Sequence, residues 1–257
     1  MIIGCSGHIS SDKDLVGKII QYLTWYHDSI EIQIDYEEMN DISFVLHWYN
    51  NKFDANKDNL NWQIHKFADA LKDIVCILTG CTREQLEDID FKNSYLNKEW
   101  NAFKDVDEEG ISRITYREML QYLGTDLLRN QLHENVWVNA LMSKYKPIQY
   151  YQGKSVDNKG IYDVSEADEL LAEIRPFYPN WIITDVRFPN EAQAIKDRNG
   201  IIIKIQRNQD EFESMKVKHI SENVLDTYKF DYIIDNNGTI NDLIIKVKDV
   251  LIKERII

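Results

Sequence analysis

Short isoleucine-rich runs separated by helical patterns constrain this chain more than any other feature. "MIIGC", "NWIITD", "IIIKIQR" and "FDYIID" carry consecutive apolar residues with little polar alternation, the mark of strands covered on both faces. Between and after them, "NEAQAIKDRNG" and "TINDLIIKVKDVLIK" have helical spacing, and Lys13 to about His27 puts Val16, Ile19, Ile20 and Leu23 on one helical face. Parallel strands need long crossovers, so the expected fold is α/β: a parallel sheet covered by helices. The 257 residues suit one large domain or two small ones. With one strand at the start and three after residue 180, the middle of the chain reads as a mainly helical elaboration at about 50–165 of a single domain over 1–257.

Within that middle stretch, Ile64, Phe67, Ala68, Leu71, Ile74, Val75 and Leu78 follow the helical period, and Gly80 follows as a C-terminal cap, so a helix is expected from Trp62 to Leu78. Thr82 with Gln85, Thr115 with Glu118, and Ser165 with Asp168 have the spacing of capping boxes. "NNKFDANKDNLN" reads as an exposed loop, while "NKEWNAFKDVDEEG" and "YYQGKSVDNKGIYD" read as polar, turn-rich covers.

Composition removes several function classes. A net charge of −13 opposes a polynucleotide backbone, so no nucleic-acid polymer is expected, though a small phosphorylated ligand needs only a local basic pocket. Cys5, Cys76 and Cys81 lack paired metal spacing and read as reduced thiols. No apolar run approaches the roughly 18 residues of a membrane span. A cytoplasmic protein without membrane association is the expectation, and a homodimer is left open.

The stretch "GCSGHISSDKDL" joins the first strand to the first helix. Backbone N–H groups of a glycine-containing turn at a helix N-terminus cradle phosphate oxygens, and a lysine in the loop reaches the terminal phosphates. Gly4, Gly7 and Lys13 suit that scheme; a tight turn with a solvated lysine is the structural alternative. The Walker A pattern has glycine before its lysine, where this chain has Asp12.

Three other stretches carry candidate chemistry. In "WIITDVRFPNEAQA", Asp185 ends a strand at the ligand-facing edge and could organise a magnesium-bound water, with Arg187 as a phosphoryl clamp. The alternative is that Asp185 caps the next helix and Arg187 pairs with Glu191. In "TYREMLQYLGTDLLRNQLHENVWVNAL", Arg117 and Arg129 lie twelve residues apart and could share a helix face, with Gly124 as a potential break; Trp137 reads as core or as a base platform. In "KHISE", Lys218, His219 and Glu222 could bind phosphate, with a structural role weighted higher.

Taken together, "IIGCSG" with "KD", "KFADALKDIVCILTGCTREQLED", "TYREMLQYLGTDLLRNQLHENVWVNAL", "WIITDVRFPNEAQAIKDRNGIIIKI" and "HISE" before "FDYIIDNNGTI" resemble the deoxynucleoside monophosphate kinases of tailed bacteriophages, in order along nearly the whole chain. The resemblance implies a P-loop NTPase fold of the nucleotide-kinase type, and transfer of the ATP γ-phosphoryl group to a deoxynucleoside 5′-monophosphate with Mg²⁺. It implies Gly4, Ser6, Gly7, Ser11, Lys13 and Asp14 around ATP, and Arg117, Arg129, Trp137, Asp185 and Arg187 around the acceptor. Lys13, Arg129 and Arg187 are the implied catalytic groups, no residue is assigned as a direct metal ligand, and a phage-encoded copy would work in the host cytoplasm.

The family's loop reads like G-x-S-G-x-x-x-S-G-K-D-T, so Asp12 stands in place of glycine and Leu15 in place of threonine. Like charges about 4 Å apart repel by roughly 4 kcal/mol at an effective dielectric of 20. Two further readings therefore stand beside the kinase: an impaired nucleotide-binding or interaction protein, and an enzyme using another donor or a modified nucleotide. Restoring Asp12→Gly with Leu15→Thr is expected to tighten ATP binding.

Overall fold

The computed structural model describes residues 1–8, 10–29, 61–101, 113–151, 154–157, 160–163, 176–207, 225 and 227–257. Two compact units emerge: Met1–Lys66 with Lys144–Ile257, and Phe67–Ser143.

The first unit is built on a five-stranded sheet in the order β2-β6-β1-β7-β8. Its strands are β1 (Ile2–Ser6), β2 (Trp62–His65), β6 (Asn180–Val186), β7 (Ile201–Gln206) and β8 (Tyr232–Asp235), every pairing parallel. Because β1 lies between β6 and β7, the connection order reverses beside it. Ligands of open α/β sheets bind at such a switch point, off the carboxyl ends of the strands.

Burial explains why the isoleucine runs lack alternation. One face of the sheet, with Ile3, Cys5, Ile182, Ile203 and Ile205, packs against α1 (Lys13–Ser29) and α8 (Ile240–Lys253). Val16, Ile19, Ile20 and Leu23 are fully buried there, each stabilising the fold by about 1.5–3 kcal/mol. On the other side, α7 (Pro189–Lys196) presses Ile195 towards β1: a Cβ on Gly4 would sit 2.7 Å from Ile195 Cδ1. Gly4 is thus an interior strand residue whose missing side chain admits α7. Within β1 this packing role stands beside the place expected for it at the phosphate loop.

The structure also corrects two local expectations in this unit. Trp62–His65 is an edge strand in register with Asn180–Ile183, not the start of a helix; Gln21 on α1 donates to the Trp62 carbonyl at 2.8 Å and helps hold it. The polar stretch after Pro147 forms an antiparallel sheet of β3 (Gln149–Tyr151), β4 (Lys154–Asp157) and β5 (Gly160–Asp163).

The second unit is helical among its described residues: α2 (Asp69–Thr79), α3 (Arg83–Glu87), α4 (Ile89–Asn93), α5 (Tyr116–Gln121), a π-wound run over Tyr122–Leu132, and α6 (Val136–Met142), with a short 3₁₀ turn at Lys98–Trp100. Its limits are narrower than the expected elaboration, since β2 and the β3–β5 sheet fall in the first unit. Gly80 ends α2 in the left-handed conformation at φ 75°, and the Thr82–Gln85 and Thr115–Glu118 capping boxes both form. Arg83 ties α2 to α3, donating to the Asp69 carbonyl and to the Asp69 and Asp73 carboxylates at 2.7–3.0 Å. The Ser165 cap, "KHISE" and the loop before Asn61 lie outside the described residues.

Candidate active site

The candidate site gathers at the carboxyl edge of the sheet, where β1 turns into α1. Gly7 has φ 153°, and a Cβ there would lie 2.4 Å from the Ile205 carbonyl oxygen and 2.6 Å from Ser11 Oγ. Only glycine fits so close an approach without displacing backbone. Ser6 and Ser11 are buried beside it, and the Ser11 N–H closes the turn onto the His8 carbonyl at 3.3 Å.

Lys13 opens α1, and its ammonium donates to the His8 carbonyl at 2.6 Å and to Ser11 Oγ at 3.3 Å. Burial, then the guanidinium of Arg187, push its pKa down from 10.5 to about 8, against the opposing pull of Asp14, Cys5 and Asp185. Two cations are therefore held close enough to oppose each other at a helix N-terminus, whose unpaired N–H groups add positive potential. Arg187 is exposed, and its guanidinium makes no hydrogen bond or ion pair among the described residues. An anion placed here would relieve the repulsion.

Asp14 is a bracket. Its carboxylate accepts from Thr184 Oγ1 at 2.6 Å and from Lys66 Nζ at 3.0 Å, pinning α1 to the ends of β6 and β2. Burial works against its ionisation, but the bonds from Thr184 and Lys66 outweigh that and hold it below the usual carboxylate range. Cys5, one strand residue below, is pushed up to about 12 by burial and is no nucleophile at neutral pH.

Asp185 lies half-buried one residue before the end of β6. The alternative expected for this stretch resolves differently: Glu191, itself buried, accepts from the backbone N–H groups of Arg187 and Phe188 at 2.8 and 3.1 Å, so the cap on α7 comes from Glu191.

The two loop departures are held in different ways. Asp12 has φ 66°, the left-handed region that glycine enters freely and aspartate tolerates. Its Oδ2 accepts from Arg207 Nη1 at 2.9 Å and from Asn236 Nδ2 at 3.0 Å. Leu15 packs on the hydrophobic core of the first unit. Asp12 is thus charge-paired, and Leu15 is packing.

In the second unit, Arg117 donates from Nε to Asn93 Oδ1 at 2.7 Å, bracing α5 against α4. Arg129 is buried, with Nη1 3.3 Å from the Glu134 carbonyl. Because winding changes at Tyr122, the 3.6-residue arithmetic that put both on one face does not carry across. Gly124 makes no break; a Cβ there would meet Leu71 Cδ2 at 2.7 Å, so it admits α2. Trp137 is buried and donates from Nε1 to the Gly124 carbonyl at 2.8 Å, the core position that was one of its two expected readings.

Lys66, Thr184, Arg207 and Asn236 join this site without having been expected. Each lies at or just beyond the carboxyl end of a parallel strand, and that position is the signal that finds them.

A parallel sheet with a glycine turn, lysine and helix N-terminus at its switch point defines an α/β fold of the P-loop kinase-like class. The family model for deoxynucleotide monophosphate kinase matches residues 14–247, and the chain belongs to that family. A protein of Acanthamoeba polyphaga mimivirus named as a deoxynucleotide monophosphate kinase is 28% identical over 193 residues, covering 72% of this chain and 80% of its own length. The deoxynucleoside-5′-monophosphate kinase of Escherichia phage T5 is 25% identical over 165 residues, 61% of this chain and 54% of the phage protein.

Proposed function

We propose that this protein transfers the γ-phosphoryl group of ATP to a deoxynucleoside 5′-monophosphate, giving ADP and the diphosphate. The observation that carries the reading is the Gly7 turn at the carboxyl edge of the sheet that leads into Lys13 at the N-terminus of α1. Phosphoryl transfer needs positioning and charge neutralisation more than covalent chemistry. Lys13 would swing from the His8 carbonyl to the β and γ phosphates, and the loop amides from Gly7 onward would donate to their oxygens. Arg187 would cover charge developing on the transferring group. Arg117, whose Nη groups make no hydrogen bond among the described residues, and Arg129 are proposed for the acceptor monophosphate.

Magnesium fits the donors present in a limited way. No cluster of three metal-ligating side chains occurs among the described residues, but Mg²⁺ at phosphates keeps several waters and takes only one or two carboxylates. Asp185, half-buried near the carboxyl end of β6, would hold it through water. When bound, the ion would supply positive charge that offsets the charge of the phosphates.

Small-molecule nucleotides are the proposed partners; no helix among the described residues is long and apolar enough to cross a membrane. The test measures ADP release with each of the deoxynucleoside monophosphates in turn. Turnover with at least one acceptor, lost in Lys13→Met, is the expected result. A folded protein that turns over none of them would overturn the proposal. The ion pair of Asp12 with Arg207 supports the active reading over an impaired binder, the alternative that Asp12 and Leu15 motivate.

A further inference from the structure

We infer that Arg207 and Asn236 are positioning residues that hold the carboxylate of Asp12 out of the phosphate loop and cancel its charge, so that a loop with aspartate before its lysine still binds a polyphosphate. The inference rests on the phosphate-loop reading above, and it concerns residues that no Walker pattern assigns.

An aspartate at this position raises two objections, and the structure answers each with a separate feature. The first is steric. Residue 12 sits at φ 66°, a conformation that costs most residues roughly 1–2 kcal/mol but is the one αL exception that short polar side chains share with glycine. The backbone of the loop can therefore keep the path that glycine would give it. The Asp12 carbonyl still accepts the Val16 N–H at 3.0 Å, so residue 12 also starts α1 properly.

The second objection is charge. A carboxylate next to Lys13 would compete with a phosphate for the lysine and for the helix N-terminus. Here it does neither: Lys13 bonds only to His8 and Ser11 among the described residues. The Asp12 carboxylate bonds instead to Arg207 just beyond β7 and Asn236 just beyond β8. The guanidinium supplies a compensating unit charge at 2.9 Å. Asn236, buried, donates from the same Nδ2 to the Ser11 carbonyl at 3.3 Å and to Asp12 Oδ2 at 3.0 Å. One amide thus fixes both the loop backbone and the direction of the acid. A solvent-exposed ion pair alone is a weak tether, but a buried amide sharing the same oxygen restricts where that oxygen can go.

Without Arg207 the carboxylate would carry an uncompensated charge one residue from the phosphate-binding lysine. Like-charge repulsion across several ångströms in a half-wet site is on the order of a tenfold effect on anion affinity. The loop would then behave as its sequence suggests, and as its structure does not.

The experiment is a double-mutant cycle read by calorimetric binding of inorganic tripolyphosphate, a probe without base or sugar. Arg207→Gln is expected to weaken binding about tenfold, and Arg207→Lys, which keeps the charge, to stay within about twofold of wild type. Asp12→Asn alone should tighten binding by up to about tenfold, because asparagine keeps the left-handed tolerance and the Arg207 charge is then uncompensated. The decisive arm is Asp12→Asn with Arg207→Gln: removing the acid should restore wild-type affinity, which lost packing at Arg207 would not allow. The inference is overturned if Arg207→Gln binds as wild type does, if the double variant stays as weak as Arg207→Gln, or if wild type binds no tripolyphosphate. Failure of the kinase reading looks different: the cycle behaves as expected, yet no monophosphate is turned over.

Discussion

Replacing Lys13 with methionine is expected to stabilise the ligand-free protein at neutral pH and to lose that advantage in alkali. Burial first, and the Arg187 charge second, bring this lysine from 10.5 to about 8. At about 1.4 kcal/mol per pH unit, that displacement corresponds to roughly 3 kcal/mol against the buried ammonium at pH 7. The sign follows from counting protons. Between about pH 8 and 10.5 the unfolded chain keeps a proton on Lys13 that the folded chain has released, so native stability rises with pH through that window. Below pH 8 both states are protonated and the whole penalty stands. Methionine removes the charge but also the bonds to His8 and Ser11, a loss of about 1 kcal/mol. The variant should therefore exceed wild type by about 2 kcal/mol at pH 7 and trail it slightly at pH 10.5. Urea unfolding of both proteins at several pH values reads this gap directly, and groups common to both cancel. A gap that stays constant with pH would refute the reasoning, because it would mean that Lys13 titrates alike in both states. Adding tripolyphosphate should abolish the wild-type pH dependence near pH 8, with proton uptake on binding visible as buffer-dependent heat.

Three substitutions separate structure from chemistry elsewhere. Gly7→Ala places a Cβ 2.4 Å from the Ile205 carbonyl oxygen and is expected to cost about 2–3 kcal/mol of stability with loss of ATP binding, checked by thermal melts with and without nucleotide. Glu191→Ala leaves the N–H groups of Arg187 and Phe188 without their acceptor, so a loss of about 2 kcal/mol should accompany a raised KM for ATP in the ADP-release assay. Trp137→Phe removes the bond to the Gly124 carbonyl and should cost about 1–2 kcal/mol in chemical unfolding; the KM for the acceptor should not move, since the indole lies in the core of the helical unit.

What could be read from the chain divides by the range of the interaction that decides it. The parallel sheet was legible because the runs in β1, β6 and β7 are buried nearly throughout, against helices that carry their own periodic patterns, as Ile203 and Val16 do, while the edge strand β8 buries Ile234 and exposes Ile233. The Thr82 and Thr115 caps were legible because each closes within four residues. Strand β2 was not, since four residues whose apolar positions continue into a helical pattern give no local sign that β6 will pair with them. The π winding after Tyr122 was hidden for a like reason: nothing in "YLGTDLLRN" distinguishes it from an α-helix until Gly124 meets Leu71.

At the candidate site the same division falls within a single loop. Gly7 and Lys13 could be assigned from spacing because their work is done by the local backbone. The meaning of Asp12 could not, because it depends on Arg207 and Asn236, 195 and 224 residues away along the chain. Spacing treats position 12 as an isolated charge beside a polyanion, which predicts that restoring glycine tightens ATP binding. The paired geometry adds that any such gain is the uncompensated charge of Arg207, so Asp12→Gly with Arg207→Gln should bind as wild type does. The reversion at Leu15 separates cleanly from it. Leu15 is packed on the core, so Leu15→Thr exchanges buried apolar surface for a hydroxyl and should cost about 1–2 kcal/mol of stability. A motif departure is therefore a statement about the ligand only when the substituted side chain still faces it, and here Asp12 is held by Arg207 and Asn236 while Leu15 packs on the core.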